Sequence, residues 1–208
     1  SLSRRLRRVP LSVWLAGLMA LAIIVAAALA PLIAPFDPTD LTSFNLIDAE
    51  LPPRFSPDGK SLVFTTNLAG RNNLWKMTEG VMMPVQLSQS EDRQGSVSIS
   101  LDGQTVYFTS DHAGHEIYDL YSLPINGGEI TNLTNTPDQT ETSPLLAPDG
   151  QSFALTVRKA DGNITNISLF DLKTKTFRAL TDEKDANHQW SGTAFSPDGK
   201  SLYAMRLT

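Results

Sequence analysis

No cysteine occurs in the 208 residues, which excludes disulfides and thiolate metal sites while leaving the compartment open. Basic charge is scarce beyond the first ten positions. Arg4, Arg5, Arg7 and Arg8 hold four of the 17 basic side chains, so the rest of the chain sets 13 against 22 acidic ones. A body this acidic repels phosphates, and nucleic-acid binding is excluded. After Phe55 no second apolar run is long enough to cross a bilayer, so the chain cannot by itself form a transport path. A G-x-S-x-G nucleophile elbow is also missing. The nearest string, Gly95-Ser96-Val97-Ser98-Ile99, lacks the second glycine and reads as strand. No stretch is low in complexity, and 41% hydrophobic residues suffice for one medium domain or two small ones.

What the front of the chain does have is a run without charge, residues 11–36, LSVWLAGLMALAIIVAAALAPLIAPF. Residues 11–30 alone would span about 30 Å as a helix, the thickness of a bilayer's hydrocarbon core. Nine of these residues are Leu, Ile or Val, and together they favour insertion by about 3–5 kcal/mol. Pro31 and Pro35 stand where the helix should stop, and Asp37 and Asp40 follow. Arginines before the run and acids after it predict a cytoplasmic N-terminus (residues 1–10), a transmembrane helix (11–35), a linker (36–52) and an extracytoplasmic body. A cleavable signal peptide is the rival, with Ala28-Leu29-Ala30 as a small-residue cleavage site and Arg4-Arg5 as a faint twin-arginine pair. The length of the run and Pro31 just after the cut weigh against cleavage. The chain begins with Ser rather than Met.

Beyond the linker one phrase recurs. FSPDGKSL stands at positions 55–62 and again at 195–202, with ISLDGQTV at 99–106 and LAPDGQSF at 146–153 between them. The glycines of the four, Gly59, Gly103, Gly150 and Gly199, lie 44, 47 and 49 residues apart, a period that signals repeated supersecondary units. The chemistry is that of a turn: Ser56 at the first position, Pro57 pre-setting the second, Asp58 at the third and Gly59 free to take positive φ. Alternating apolar residues on both sides make it a β-hairpin. Leu101 replaces proline in the second copy, which leaves that bend to Asp102-Gly103. Each repeat adds two strands. A third is expected to end in Leu plus an aromatic (Leu74-Trp75, Leu120-Tyr121, Leu169-Phe170), and a fourth to carry Leu-Ser or Leu-Thr (Leu87-Ser88, Leu133-Thr134, Leu180-Thr181).

Four antiparallel strands every 40–50 residues read as a β-propeller. The expected fold is therefore mostly β: a partial propeller of about 3.5 four-stranded antiparallel blades, preceded by one transmembrane α-helix. The blades fall at about 53–90, 95–136 and 141–182, with a half-blade at 189–208. Closure as a four-bladed ring would need residues 41–51 to supply an outer strand. As an isolated piece, the open ring is expected to self-associate through its blade faces.

Two resemblances follow from these residues. SRRLRR, the apolar run, LAPLIAPFDPTDL and NLIDAELPPRF (residues 3–55) resemble the N-terminal region of oligopeptide and dipeptide ABC-transporter permeases. The family's further membrane helices have no counterpart here. FTTNLAGRNNLWKM, VYFTSDHAGHEIYDLYSLPINGGEITNLT and LFDLKTKTFRALTDE, together with SPDG, make residues 53–208 similar to the propeller of prolyl-oligopeptidase-type serine peptidases and to TolB-type repeats. In the peptidases such a ring sits over a separate hydrolase domain and filters its substrates, so the resemblance implies a binding or gating module. It carries over no catalytic residue. The two resemblances meet near Phe55.

Few side chains suggest chemistry of their own. Asp111-His112-Ala113-Gly114-His115-Glu116 offers two histidines and flanking carboxylates to a metal, but reads first as a loop between strands. Asp182-Glu183-Lys184-Asp185 lacks the glycine bend of a calcium loop and reads as a solvated turn. His188 and Trp190 are read as packing, with a channel mouth as the alternative. Asn132, Asn163 and Asn166 head N-x-S/T strings that matter only in a glycosylating pathway. No catalytic, cofactor-binding or metal residue is assigned. The expected partners are the inner membrane of a bacterium and a peptide or protein ligand at the propeller. The leading function is a membrane-anchored, extracytoplasmic binding module, with a permease front, a TolB-like periplasmic interaction protein, and a peptidase whose catalytic domain lies past Thr208 as rivals.

Overall fold

The computed structural model describes residues 17–21, 25 and 52–208. The chain divides into two units, Ser1–Phe44 and Asn45–Thr208. In the first, residues 17–21 and 25 are helical and exposed. Among the described residues no helix is long and apolar enough to cross a membrane. The expected span over 11–35 lies mostly outside them, as does the outer strand suggested for 41–51.

Among the described residues, the second unit holds fourteen antiparallel strands in four sheets. The first sheet runs β1 (Arg54–Phe55), β2 (Ser61–Thr66), β3 (Asn73–Thr78), β4 (Val85–Gln86). The second runs β5 (Gln94–Ile99), β6 (Thr105–Asp111), β7 (Tyr118–Pro124), β8 (Thr131–Asn132), and the third β9 (Gln139–Leu146), β10 (Ser152–Lys159), β11 (Thr165–Asp171), β12 (Thr176–Ala179). The fourth sheet pairs β13 (Gln189–Phe195) with β14 (Leu202–Leu207). Within each sheet spatial order equals chain order, the up-and-down meander of a propeller blade. The first strands β1, β5, β9 and β13 each contact the next in order, and β5, β9 and β13 also pack on the middle strands of the blade before them.

Apolar side chains on facing sheets fill the space between blades. Val63 and Leu74 of the first blade meet Val97, Val106, Phe108 and Leu123 of the second. Leu120 of the second meets Phe153, Leu155 and Phe170 of the third, with Tyr107 edge-on to Phe153 at 5.0 Å. Each such side chain, fully buried, contributes roughly 1.5–3 kcal/mol. Burial on both faces explains why consecutive residues are buried along β2, β6 and β10.

The recurring phrase forms the expected turn. Gly59, Gly103, Gly150 and Gly199 have φ of 70–71°, and each donates its N–H to the residue three back at 2.8–2.9 Å. In three copies the serine hydroxyl (Ser56, Ser100, Ser196) donates to the aspartate two residues on at 2.6–2.7 Å. The same oxygen accepts the N–H that opens the next strand at 2.9–3.0 Å. Those hydroxyls hold the Asp58, Asp102 and Asp198 carboxyls below their ordinary range. Ala147 stands in the third copy, where the serine's bonds are missing and the backbone bonds and the Gln151 N–H to Asp149 at 2.9 Å remain.

The four turns also stack on one another. A Cβ built on Gly103 would lie 3.3 Å from Cδ of Pro57, one on Gly150 3.0 Å from Cδ1 of Leu101, and one on Gly199 3.7 Å from Cδ of Pro148. The second residue of each turn thus covers the glycine of the next. Glycine here answers two demands at once, left-handed backbone and close approach.

The outer half of the repeat differs from the expectation in detail. Leu74-Trp75 lies near the start of β3 and Leu120-Tyr121 inside β7; neither ends its strand. In the third blade the equivalent pair is Ile167-Ser168, not Leu169-Phe170. Trp75 pairs with Gln86, Tyr121 with Asn132 and Ser168 with Ala179. Two residues of slip keep a side chain on the same face, which is why Leu169-Phe170 imitated the motif. Leu87-Ser88, Leu133-Thr134 and Leu180-Thr181 each follow the fourth strand instead of lying in it. The leucine N–H donates to the carbonyl of Leu74, Leu120 or Ile167 at 2.8 Å. The hydroxyl then accepts the N–H of that same residue at 2.9–3.0 Å. A side-chain oxygen replaces the backbone acceptor of the ladder, and the strand ends there.

Candidate functional site

The first strands line an axial cleft. Its main cavity, about 410 Å³, is bounded by Arg54 and Phe55 of β1, Ser98 and Ile99 of β5, Pro144, Leu145 and Leu146 of β9, Pro148 of the following turn, and Thr193, Ala194 and Phe195 of β13. A second cavity of about 150 Å³ shares Arg54, Pro144 and Leu145 and adds Pro52, Ser96, Val97 and Ser143. Local backbone shapes this wall. β5, β9 and β13 each carry an irregularity in register against the next strand, and Ser96 and Ser143 sit there at φ 47° and 50°. Bulges bend a strand and re-aim its side chains, here toward the axis. Pro144 tolerates the position because the first strand has no ladder partner on its axial side.

Most lining side chains are apolar, backbone and hydroxyl groups expose a comparable area, and Arg54 is the one charged residue among the described lining residues. Phe55 is 69% exposed. Serine and threonine hydroxyls are present, but the described lining holds no His, Asp or Glu that would activate one as a nucleophile. Chemically the cleft offers a trough of mixed polarity with one guanidinium, which matches an extended segment bearing a carboxylate.

The side chains singled out from the sequence lie elsewhere. Asp111 ends β6, is buried, and accepts the His112 N–H at 2.7 Å. The loop after it is closed by His112 N–H to the Ile117 carbonyl at 3.1 Å and Ala113 N–H to Asp92 at 2.9 Å. Among the described residues no three His, Cys, Asp or Glu side chains are grouped to hold a metal. In the 182–185 turn, Glu183 accepts Arg206 Nε at 2.7 Å, and this bond first, then backbone N–H groups, holds its carboxyl down to about 2. Asp185 engages Asn187 and the His188 ring at 2.9–3.0 Å. Trp190 donates from Nε1 to Glu183 at 3.3 Å, so it joins the third and fourth blades and does not line the cleft. Asn132 and Asn166 are likewise structural, donating to the Asp119 carboxylate at 2.7 Å and the Glu183 carbonyl at 3.3 Å.

Reading by sequence missed a buried polar joint between blades. The residue before Leu74, Leu120 and Ile167 is Asn73, Asp119 and Asn166, and each accepts the backbone N–H of the residue two past the Ser or Thr clasp, at 2.6–3.0 Å. The signal was present as Asn-Leu, Asp-Leu and Asn-Ile in register, but it shows only after the third-blade slip is corrected. In the second joint Glu141, fully buried, completes the network.

The described geometry finds its relatives readily. The family described as TolB beta propeller domain matches residues 41–207, which includes part of the stretch that resembles a permease; the comparisons add nothing in favour of that resemblance. The Tol-Pal system protein TolB of Francisella tularensis is 32% identical over 103 residues, half of this chain and 23% of its own length. An uncharacterized peptidase, YuxL of Bacillus subtilis, is 28% identical over 197 residues, 75% of this chain and 29% of that protein. The chain thus spans about a quarter of the length of these relatives. Among solved structures, TolB from Acinetobacter baumannii superposes with a TM-score of 0.59 at 26% identity, over 73% of this chain and 36% of the other. A prolyl endopeptidase reaches a TM-score of 0.59 at 17% identity, over 75% and 26%, a likeness of fold alone. With four matching turns and blades in chain order, this chain belongs to the TolB beta propeller domain family.

Proposed function

We propose that this chain is a non-catalytic binding module whose axial cleft takes a peptide or protein segment, and that residues 11–35 hold it at a bacterial inner membrane with the propeller outside the cytoplasm. The observation that carries the binding reading is the cleft itself, walls of mixed polarity with Arg54 and an exposed Phe55 at its edge. The uncharged run, its arginine flank and the acidic body support the placement. A Tol-Pal system protein among the relatives fits an envelope interaction protein.

A second reading makes the propeller the gate of a serine peptidase, favoured by the long match to a peptidase, which covers 75% of this chain. The two share the cleft and differ in what lies beside it. Self-association through open blade faces, and a permease origin for residues 3–55, remain subordinate proposals.

A photo-crosslinking amino acid at position 55, in the full chain in native membranes, tests the binding reading. A discrete adduct should form there, be absent with the probe at the exposed Met82, and disappear with Arg54→Glu. Identical adduct patterns from positions 55 and 82 would refute it.

A further inference from the structure

The joint between the second and third blades contains two buried carboxylates that share two threonine hydroxyls. Asp119 comes from β7 and Glu141 from β9. Thr134 and Thr136, on the segment joining the blades, stand between them. The Thr134 hydroxyl lies 2.8 Å from Oε2 of Glu141 and 3.2 Å from Oδ1 of Asp119. That of Thr136 lies 2.6 Å from Oε1 of Glu141 and 3.0 Å from the same Asp119 oxygen.

These are four oxygen–oxygen contacts served by two hydroxyl protons. A hydroxyl donates once, so with both acids ionised two of the contacts would set lone pair against lone pair in a water-poor site. One more proton relieves one of the two, leaving only the longer Thr136–Asp119 contact at 3.0 Å unserved, and the other donors say where it sits. Asp119 also accepts the Thr136 N–H at 3.0 Å and the Asn132 amide at 2.7 Å, whereas Glu141 has only the Gln139 amide at 2.8 Å. Asp119 is therefore the better-solvated anion. A protonated Glu141 donates through Oε2 to Thr134, whose oxygen already accepts the Leu120 N–H at 3.0 Å and whose proton then turns to Asp119.

The first joint is closed by neutral groups at the same positions. Gln94 and Glu141 each stand nine residues before their blade's turn glycine. Ser88 Oγ accepts the Leu74 N–H at 2.9 Å and donates to Oε1 of Gln94, with Asn73 in the place of Asp119. An amide closes one joint, and a protonated acid closes the next.

We propose that Glu141 is a proton-operated lock between the second and third blades, carrying a proton when the joint is closed and releasing it when the joint opens. The surroundings on every side agree. From β7, Asp119 faces it as a like charge, and the Tyr118 N–H is taken by Thr140 at 2.8 Å. From β10, Val157 stands opposite, while Arg158 turns its guanidinium to the carbonyls of Lys159, Ala160 and Gly162; Lys159 is exposed. Burial, with Asp119 adding to it, pushes the Glu141 carboxyl up to about 7 against the hydrogen bonds it accepts.

The sign follows. The closed joint holds a proton that the open joint loses above the ordinary value of 4.5. Closure weakens as pH rises from there to about 7, and is flat beyond. The open population grows by at most about tenfold per pH unit in that window.

Amide hydrogen exchange of the full chain from pH 5 to pH 8, corrected for base catalysis, reads this at Leu120 and Tyr118. Their opening should rise with pH and then level off, and Glu141→Gln, the side chain already used at position 94, should abolish the rise. Carbon-13 NMR of the Glu141 carboxyl gives a reading that needs no variant: it should be protonated at pH 5.5. Opening independent of pH, a Gln variant with the full wild-type dependence, or a Glu141 carboxyl ionised at pH 5.5 would each overturn the proposal.

Discussion

Replacing the turn glycines one at a time separates backbone strain from blade stacking. Gly59 and Gly150 share φ of 71°, so an alanine at either takes the same left-handed penalty, roughly 1–2 kcal/mol. Their surroundings differ. A Cβ at position 59 meets nothing within 4 Å, while one at position 150 lies 3.0 Å from Cδ1 and 3.1 Å from Cγ of Leu101. Carbon pairs prefer about 3.5–4.0 Å, and overpacking of this kind costs about 1–3 kcal/mol. Gly150→Ala should therefore lose about 2–5 kcal/mol in all. At a urea slope near 2 kcal/mol/M, the excess over Gly59→Ala moves the midpoint by about 0.5–1.5 M. Leu101→Ala removes both crowding atoms and leaves Cβ at 3.8 Å, so in that background the two glycine variants should converge. Gly103→Ala, against the rigid Pro57 ring at 3.3 Å, should fall between them, and Gly199→Ala, with 3.7 Å to Pro148, near Gly59→Ala. Equal midpoints for Gly59→Ala and Gly150→Ala, or an excess that survives Leu101→Ala, would refute the stacking of turns.

Ala147→Ser should supply the missing hydroxyl of the third turn and accept the Ser152 N–H, raising stability by about 1 kcal/mol and the melting temperature by about 2–4 °C; a calorimetric scan decides. Ser88→Ala and Thr181→Val should each strand a buried strand N–H, of Leu74 and Ile167, and lower the urea midpoint by the equivalent of about 1–3 kcal/mol. Glu183, held near 2 by Arg206, stabilises the fold above its ordinary 4.5, and that contribution is lost as pH falls through about 2. Since Trp190 donates to the same carboxylate, its fluorescence should report the titration, and Arg206→Ala should move the midpoint up toward 4.5. An unmoved midpoint would show that Arg206 does not set it.

Much of the inner hairpin was legible because its determinants are local. Ser56, Pro57, Asp58 and Gly59 make their turn from bonds within six residues, so four copies could be read one by one. The outer half was less legible: Leu169-Phe170 carries the right letters, but only pairing with β12 shows that Ile167 is the clasped residue. His188 and Trp190 bond to Asp185 and Glu183, partners that no local pattern named, while Asp119 and Glu141 went unnoticed because a lone acid inside a strand has no local signature. The axial cleft was not legible at all. Its walls come from strands about 40–50 residues apart, and each strand contributes two or three ordinary residues.

Local chemistry in the chain determined the turns, their period and the family of blades they imply, since a hairpin is decided by the dihedral preferences of a few adjacent residues. Tertiary structure alone decided which faces meet: the stacking of Leu101 on Gly150, the sharing of two hydroxyls by two acids, and the packing of Tyr107 on Phe153. Those are properties of distance between residues far apart in sequence, and burial gives them their energy.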